Sequence, residues 1–121
     1  MFPPVFATLS AVPAITAALG SDPVKIFPNE AEQGTKPPYV VWAVSNGTPE
    51  NYLGNLPDLD QYTTVIDVYA ETLEEARAIT KLLRDAIEPV AYITAWLGEG
   101  YDFETKLKLI SFDVDWQTDR T

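Results

Sequence analysis

The chain has 121 residues, which fits a single domain over residues 1–121, and 46% of them are hydrophobic, which is too apolar for intrinsic disorder. Eighteen acidic against eight basic residues give a net charge of -10, the wrong sign for binding nucleic acid over a broad basic surface. The absence of Cys and His excludes thiolate nucleophiles, disulfides, the usual zinc sites and His-dependent catalytic triads.

The first half of the chain holds nine of the ten prolines and predicts short elements separated by loops. Pro4 and Pro13 suit the first turns of two short helices, and Gly20 suits the end of the second. A brief strand is predicted over residues 24–27 and a longer one over residues 39–45. The stretch between these strands is rich in prolines and charged residues and predicts a loop.

Residues 46–60 predict a protruding loop or hairpin arm. The first four, Asn46 to Pro49, predict a turn, and the rest follow neither a helical nor a strand period. The segment carries more large apolar side chains than a solvated connector does, which indicates that this domain or another subunit covers them. These side chains are Tyr52, Leu53, Leu56 and Leu59.

A strand over residues 62–70 and the helix that follows it have the most regular patterns. Residues of the strand fall alternately on two faces, one of them mainly apolar. Thr72 and Glu75 have the spacing of a capping box, which predicts the start of an amphipathic helix that ends at Pro89. The apolar stripe of this helix consists of Ala76, Ile79, Leu82, Leu83, Ala86 and Ile87.

The C-terminal part predicts two more strands, over residues 92–96 and 106–116, with a turn over residues 98–102. The apolar pattern of the last strand changes phase, and a bulge near Leu109 and Ile110 would reconcile its two halves. Strands on both sides of one long helix predict an α+β fold. We expect an antiparallel or mixed sheet of about four strands, with the long helix and the short N-terminal helices packed on one face.

Asp113 and Asp115 lie two residues apart on the last predicted strand and therefore project from one face. Such a carboxylate pair can serve general acid/base chemistry or bind a divalent metal, but the sequence offers no companion base or ligand cluster. A solvent-facing acidic row is therefore the better interpretation. If Asp67, from the strand over residues 62–70, shares this face, the face is acidic and repels DNA phosphates.

The remaining motifs indicate no active site. Gly98-Glu99-Gly100 lacks the third glycine of a dinucleotide-binding motif, and neither a phosphate-binding loop nor a Ser-x-x-Lys motif is present. Trp42, Trp96 and Trp116 each fall in a predicted strand, where aromatic residues are ordinarily core. We therefore predict no catalytic, cofactor-binding or metal-ligating residue, no cofactor and no enzymatic activity.

Several blocks, taken together, carry a resemblance to one protein family. They are PPVFATLSAVPAITAALG, VKIFP, KPPYVVWAVSNGTPENYLG, YTTVIDVYAETLEEARAITKLLRDAI and SFDVDW, in this order. The most specific parts are Pro38-Tyr39-Val40, the GTPENYLG segment, and Asp67 to Ala70 leading into Thr72 and Glu75. From about Phe2 to Trp116 the chain resembles the tail completion proteins of long-tailed bacteriophages, the tail terminator or head-tail joining family.

The resemblance implies a structural protein of the virion, assembled in the host cytoplasm and placed at the interface of head and tail. Members of such a family form a ring, usually a hexamer, that caps the tail tube, stops its polymerisation and joins it to the head. The implied partners are other copies of the chain, the tail tube protein, and a connector, stopper or neck protein. DNA passes through the ring without specific binding, and no membrane partner is expected.

Two sets of residues are candidates for roles in such a ring. The acidic set, Asp67, Asp113 and Asp115, is predicted to face the lumen. The apolar set is predicted to contact a neighbouring subunit or the tube, and consists of Tyr52, Leu53, Leu56 and Leu59. Two alternatives stay open: another neck or head completion protein of similar build, or a small metal-dependent enzyme that uses Asp113 and Asp115.

Overall fold

The computed structural model describes residues 2–20, 23–50, 56 and 58–120. In chain order the elements are α1 (Val5–Ser10), α2 (Pro13–Leu19), β1 (Ile26–Pro28), β2 (Tyr39–Pro49), β3 (Leu59–Ala70), α3 (Leu73–Ile87), β4 (Tyr92–Asp102) and β5 (Leu107–Asp119). The strands form one mixed sheet in the order β1-β2-β3-β5-β4, in which β1 and β2 run parallel and the other neighbours antiparallel. The predicted α+β fold is confirmed, with five strands instead of about four.

The helices cover one face of the sheet and enclose the main core there. Alternate residues of β3 and β5 point into this core, among them Ile66, Val68, Phe112 and Val114, all fully buried. The long helix α3 packs on these two strands, and α1 and α2 pack beside it. Because burial contributes about 25 cal/mol for each Å² of apolar surface removed from water, this face of the sheet is the main source of stability.

The predicted start of α3 is confirmed. The backbone N–H of Glu75 donates a hydrogen bond to Oγ1 of Thr72 at 3.2 Å, which satisfies one of the free donors of the first helical turn. Glu74 and Glu75 both lie in that turn, where the helix dipole favours negative charge. The cap therefore fixes where the chain turns from β3 into the helix that covers the core.

Replacing Thr72 by alanine is expected to lower the free energy of unfolding by about 1 kcal/mol, because an N-cap without a side-chain acceptor leaves a helix donor unpaired. Urea denaturation at neutral pH measures the change. Thr72→Ser is the control, since it keeps the hydroxyl and should stay close to the wild type. Equal stability of the alanine and serine variants would show that the cap contributes nothing.

The hairpin of β2 and β3 extends further than predicted. β2 continues to Pro49, which pairs with Asp60, so the turn predicted from Asn46 to Pro49 is wrong. A bulge just before Asn46 shifts the register and lets the strand run on. Gly47, which suggested a turn, lies opposite Tyr62, where a Cβ would come within 2.8 Å of the ring. The glycine thus provides space for an aromatic side chain across the strand pair.

The last two strands also differ from the prediction. β4 runs on through the residues predicted as a turn and ends at Asp102. β5 pairs with β3 in unbroken register, so the bulge predicted near Leu109 and Ile110 is wrong. Two bulges do occur in the neighbouring pair of β4 and β5, and both lie in β4. The change of phase has another cause: Leu107 points to the opposite face of the sheet, where it packs with Tyr39 and Val41 in a second, smaller apolar cluster.

Candidate functional site: the open face of the sheet

The candidate site is the face of the sheet that the helices do not cover, called here the open face. Asp67 of β3 lies directly across from Ser111 of β5, and Asp113 and Asp115 follow along β5 on the same side. The structure therefore brings all three predicted acidic residues onto the open face. The two-residue period of a strand predicted the pairing of Asp113 with Asp115, whereas the position of Asp67 beside them depends on the register of β3 and β5.

Asp67 lies at the middle of the open face and is half-buried. The Ser111 hydroxyl donates a hydrogen bond of 2.6 Å to its Oδ1. Burial raises the pKa of the Asp67 carboxyl above its ordinary value, and the hydrogen bond from Ser111 offsets this only in part. The charged form is consequently disfavoured in the folded protein, so that this carboxylate reduces stability at neutral pH.

Asp67→Asn is expected to increase the free energy of unfolding at pH 7, because asparagine keeps an acceptor oxygen for Ser111 and carries no charge. The pKa of Asp67 is higher in the folded protein than in the unfolded chain, where it is about 4. Asp67 therefore reduces stability more and more as the pH rises from about 4 through the pKa of the folded protein. The gain should therefore shrink as the pH is lowered to 3. Thermal unfolding at both pH values measures it, with Asp119→Asn as the control at an exposed position. An equal gain at both pH values would contradict this assignment.

The other two acidic residues lie towards the end of the sheet where β3 begins. Asp115 accepts hydrogen bonds from Thr63 Oγ1 at 2.7 Å and from Gln61 Nε2 at 3.2 Å. Asp113 is half-buried and faces Val65 across the strand pair. Neutral donors hold the Asp115 carboxylate in place without pairing it with a cation, and Asp113 beside it makes this end of the open face acidic.

At the opposite end, the open face is bordered by an acidic basin. Residues 29–35 and the turn between β4 and β5 surround a cavity of about 860 Å³, with Asp67, Tyr69 and Asp102 among its lining. Burial together with the charges of Asp67 and Asp102 raises the pKa of Tyr69 to about 12, so the phenol stays neutral. Within the described ranges, no group of three or more His, Cys, Asp and Glu side chains is arranged to hold a metal ion.

The predicted apolar contact residues fall in or next to the segment that joins β2 to β3, residues 50–58, called here the hairpin tip. Tyr52 and Leu53 fall outside the residues that the structure describes. Leu56 is 88% exposed, and Leu59 is half-buried at the start of β3. Next to Leu59, a salt bridge of 2.8 Å joins the buried Asp60 to Arg120. The guanidinium of Arg120 donates a hydrogen bond to the Asp60 carboxylate, which holds the pKa of this carboxyl below its ordinary value.

The three tryptophans have different environments. Trp116 is buried, and its indole N–H donates a hydrogen bond of 3.0 Å to Thr64 Oγ1, whereas Trp42 is half-buried beside the main core. Trp96 is 54% exposed, so the prediction that it belongs to the core is wrong. The reason is topological: β4 is an edge strand and α3 does not cover it completely, which leaves one side of the indole against Phe112 and the other open.

An exposed apolar border along β4 was missed by the sequence analysis. Most of the large apolar side chains that are exposed within the described residues lie in or beside this strand: Val90, Tyr92, Trp96, Leu97, Tyr101 and Phe103. Alternation could have revealed a strand here, but its position at the edge depends on β5 inserting between β3 and β4. An exposed apolar border of this kind is typical of a surface that meets another protein.

Comparisons with known proteins give one family and one fold. The family model described as "Tail completion protein gp17" matches residues 3–119. A chain of the "Virion of native gene transfer agent (GTA) particle" is 13% identical with a TM-score of 0.64, covering 95% of this chain and 91% of that one. The "Structure of bacteriophage SPP1 gp17 protein" is 15% identical with a TM-score of 0.59, covering 96% and 86%. Among curated proteins, none matches the sequence.

No helix in the described part of the chain is long and apolar enough to cross a membrane.

Proposed function

The chain belongs to the tail completion protein gp17 family, and on this premise we propose that it forms a ring that caps the phage tail tube, stops its polymerisation and joins the tail to the head. The observation that carries the proposal is the family match, which extends over residues 3–119. As a member of this family, the chain is a structural protein of the phage virion. Its role in the ring is assembly, without a catalytic step.

In this proposal, the open face lines the channel through which DNA passes. Double-stranded DNA carries about one negative charge per 1.7 Å of its axis, so a basic lining would hold it in place. The carboxylates of Asp67, Asp113 and Asp115 instead repel the phosphates. At physiological salt this repulsion acts over about 8 Å, which is enough to keep DNA from adhering to the wall but not to stop its passage.

The cost of Asp67 to stability supports a functional reason for its charge. An asparagine at this position would accept the hydrogen bond from Ser111 and would avoid burying a carboxylate whose pKa is raised. A negative charge that disfavours folding at neutral pH is expected where the charge itself is needed. A surface that slides past DNA has that need.

The tip of the hairpin supplies the contact between the subunit and its surroundings in the ring. Leu56 is exposed, and the sequence places Tyr52 and Leu53 close to it in the chain. In an isolated subunit the Leu56 side chain faces water, which favours its burial against a neighbouring subunit or the tail tube.

The test of the proposed function is electron microscopy of lysates from particles whose gene for this chain carries a stop codon. We expect filled heads without tails, together with free tails of uncontrolled length. Supplying the wild-type chain from a plasmid is the control and should restore joined particles. Free tails of normal length would indicate a neck protein instead of a terminator, and normal tails on heads would overturn the proposal.

A further inference from the structure

A groove lies between α3 and β4 on the side of the molecule away from the open face. Its cavity of about 260 Å³ is lined by Arg77, Lys81 and Arg84 from α3, by Trp96 from β4, and by Ile110 at its floor. Trp96 leans on Phe112, with their ring centroids 5.1 Å apart, and keeps its other side open to the groove. The groove thus combines an exposed aromatic side chain with a basic rim.

The charges of the rim make the groove unusual in this chain. Three of the eight basic residues lie here, although the net charge of the chain is -10. Arg77 pairs with Glu99, and Arg84 with Asp85 and Glu88, whereas Lys81 has no ion-pair partner within the described residues. A ligand for this groove is therefore apolar where it meets Trp96 and acidic where it meets Lys81.

The hairpin tip has this chemistry. Leu56 is 88% exposed, and the exposed Asp58 lies two residues further along the chain. Leu56 and Asp58 cannot reach the groove of their own subunit. The next residue, Leu59, lies seven residues along β3 from Ile66, or about 23 Å, and Ile66 shares a row across the sheet with Phe112 and Trp96 beside the groove. A contact between the two features therefore joins two copies of the chain.

From the charge complementarity of these residues, we propose that the groove between α3 and β4 receives Leu56 and Asp58 of a second copy, with Leu56 against Trp96 and Asp58 facing Lys81. The inference rests on the proposed ring. A contact between two different surfaces is head-to-tail, and repeated contacts of this kind close into a ring when the rotation between copies fits. It also brings the most basic part of a subunit against an acidic part of the next, which reduces the repulsion between copies that each carry a charge of -10.

Chemical cross-linking in assembled particles tests the contact, because the chain contains no cysteine and any thiol link joins introduced positions. Particles that carry Leu56→Cys with Lys81→Cys are treated with a short bismaleimide. We expect a ladder of covalent multimers beyond the dimer, since each copy is linked to the next through two different positions. Each single variant should give no ladder. Leu56→Cys with Ala17→Cys, an exposed position on α2, is the matched control and should give none.

A charge exchange provides the second test. Lys81→Glu and Asp58→Lys should each lower the yield of joined particles by about tenfold, because like charges then face each other. The two changes together should restore most of the yield. A double variant no better than the single variants, or particles with a visible ring but no ladder, would overturn the contact and leave the proposed function standing. Wild-type particles without a ring would overturn both.

Discussion

Phe112→Ala is expected to lower the free energy of unfolding by about 3–5 kcal/mol, the usual cost of removing a fully buried phenylalanine. Phe112 lies in the middle of β5, directly between Ile66 on β3 and Trp96 on β4, and its ring contacts the indole of Trp96. It is fully buried beneath the helices. The truncated side chain leaves a cavity that three strands and a helix can close only by moving together.

Urea denaturation measures this effect, and two variants serve as controls. Phe112→Leu retains most of the apolar volume and should cost about 1.5 kcal/mol or less. Phe103→Ala removes the same atoms from a side chain that is 85% exposed, and should change stability by less than about 0.5 kcal/mol. A loss below about 1 kcal/mol for Phe112→Ala would show that the sheet and α3 collapse into the vacated space and that Phe112 does not organise the core.

The second large effect is expected from reversing the charge of the open face. Asp113→Lys with Asp115→Lys places two cations where the proposed channel meets DNA. Each lysine that reaches a phosphate releases counterions and adds attraction, so the wall changes from one that repels DNA to one that holds it. We expect particles of normal appearance whose infectious titre falls by about tenfold or more. Added salt should restore DNA release from these particles in vitro, because it screens the attraction between the lysines and the phosphates.

A matched control separates the location of the charges from their number. Glu71→Lys with Glu74→Lys raises the net charge by the same amount, from -10 to -6, on exposed positions just before α3 and in its first turn. This control should keep its titre. Because Asp115 accepts hydrogen bonds from Gln61 and Thr63, thermal unfolding of both variants checks that they fold. Full infectivity of the Asp113→Lys/Asp115→Lys variant would contradict a channel lined by the open face.

The sequence predicted correctly those elements that are determined by residues close together in the chain. The cap at Thr72, the apolar stripe of α3 and the alternation of β3 follow from spacing alone, and the structure agrees with them. Pro and Gly misled the prediction at Asn46 to Pro49, because there the glycine makes room for Tyr62 and the proline lies in a strand. Short-range rules cannot distinguish a glycine that turns the chain from one that accommodates a neighbour across a sheet.

The candidate site shows the same division. The common face of Asp113 and Asp115 follows from a period of two, but their proximity to Asp67 requires the register of β3 and β5. The phase change at Leu107 has a long-range cause, since this residue serves a second apolar cluster with Tyr39 and Val41 that no single strand reveals. The exposure of Trp96 depends on which strand ends up at the edge of the sheet. These three features depend on the order and register of the strands, which the pattern of residues within one strand does not reveal.

The two bulges of β4 have a consequence for the aggregation of the chain. They lie between Ile93 and Ala95 and between Trp96 and Gly98, and they interrupt the regular row of backbone groups at the outer border of the sheet. An intact border strand with such apolar side chains would be a template for fibrils, whereas a bulged one accepts no foreign strand over its length. The border of β4 is therefore a poor site for adding a foreign strand, and a contact made there has to rely on side chains instead of a continuous row of backbone hydrogen bonds.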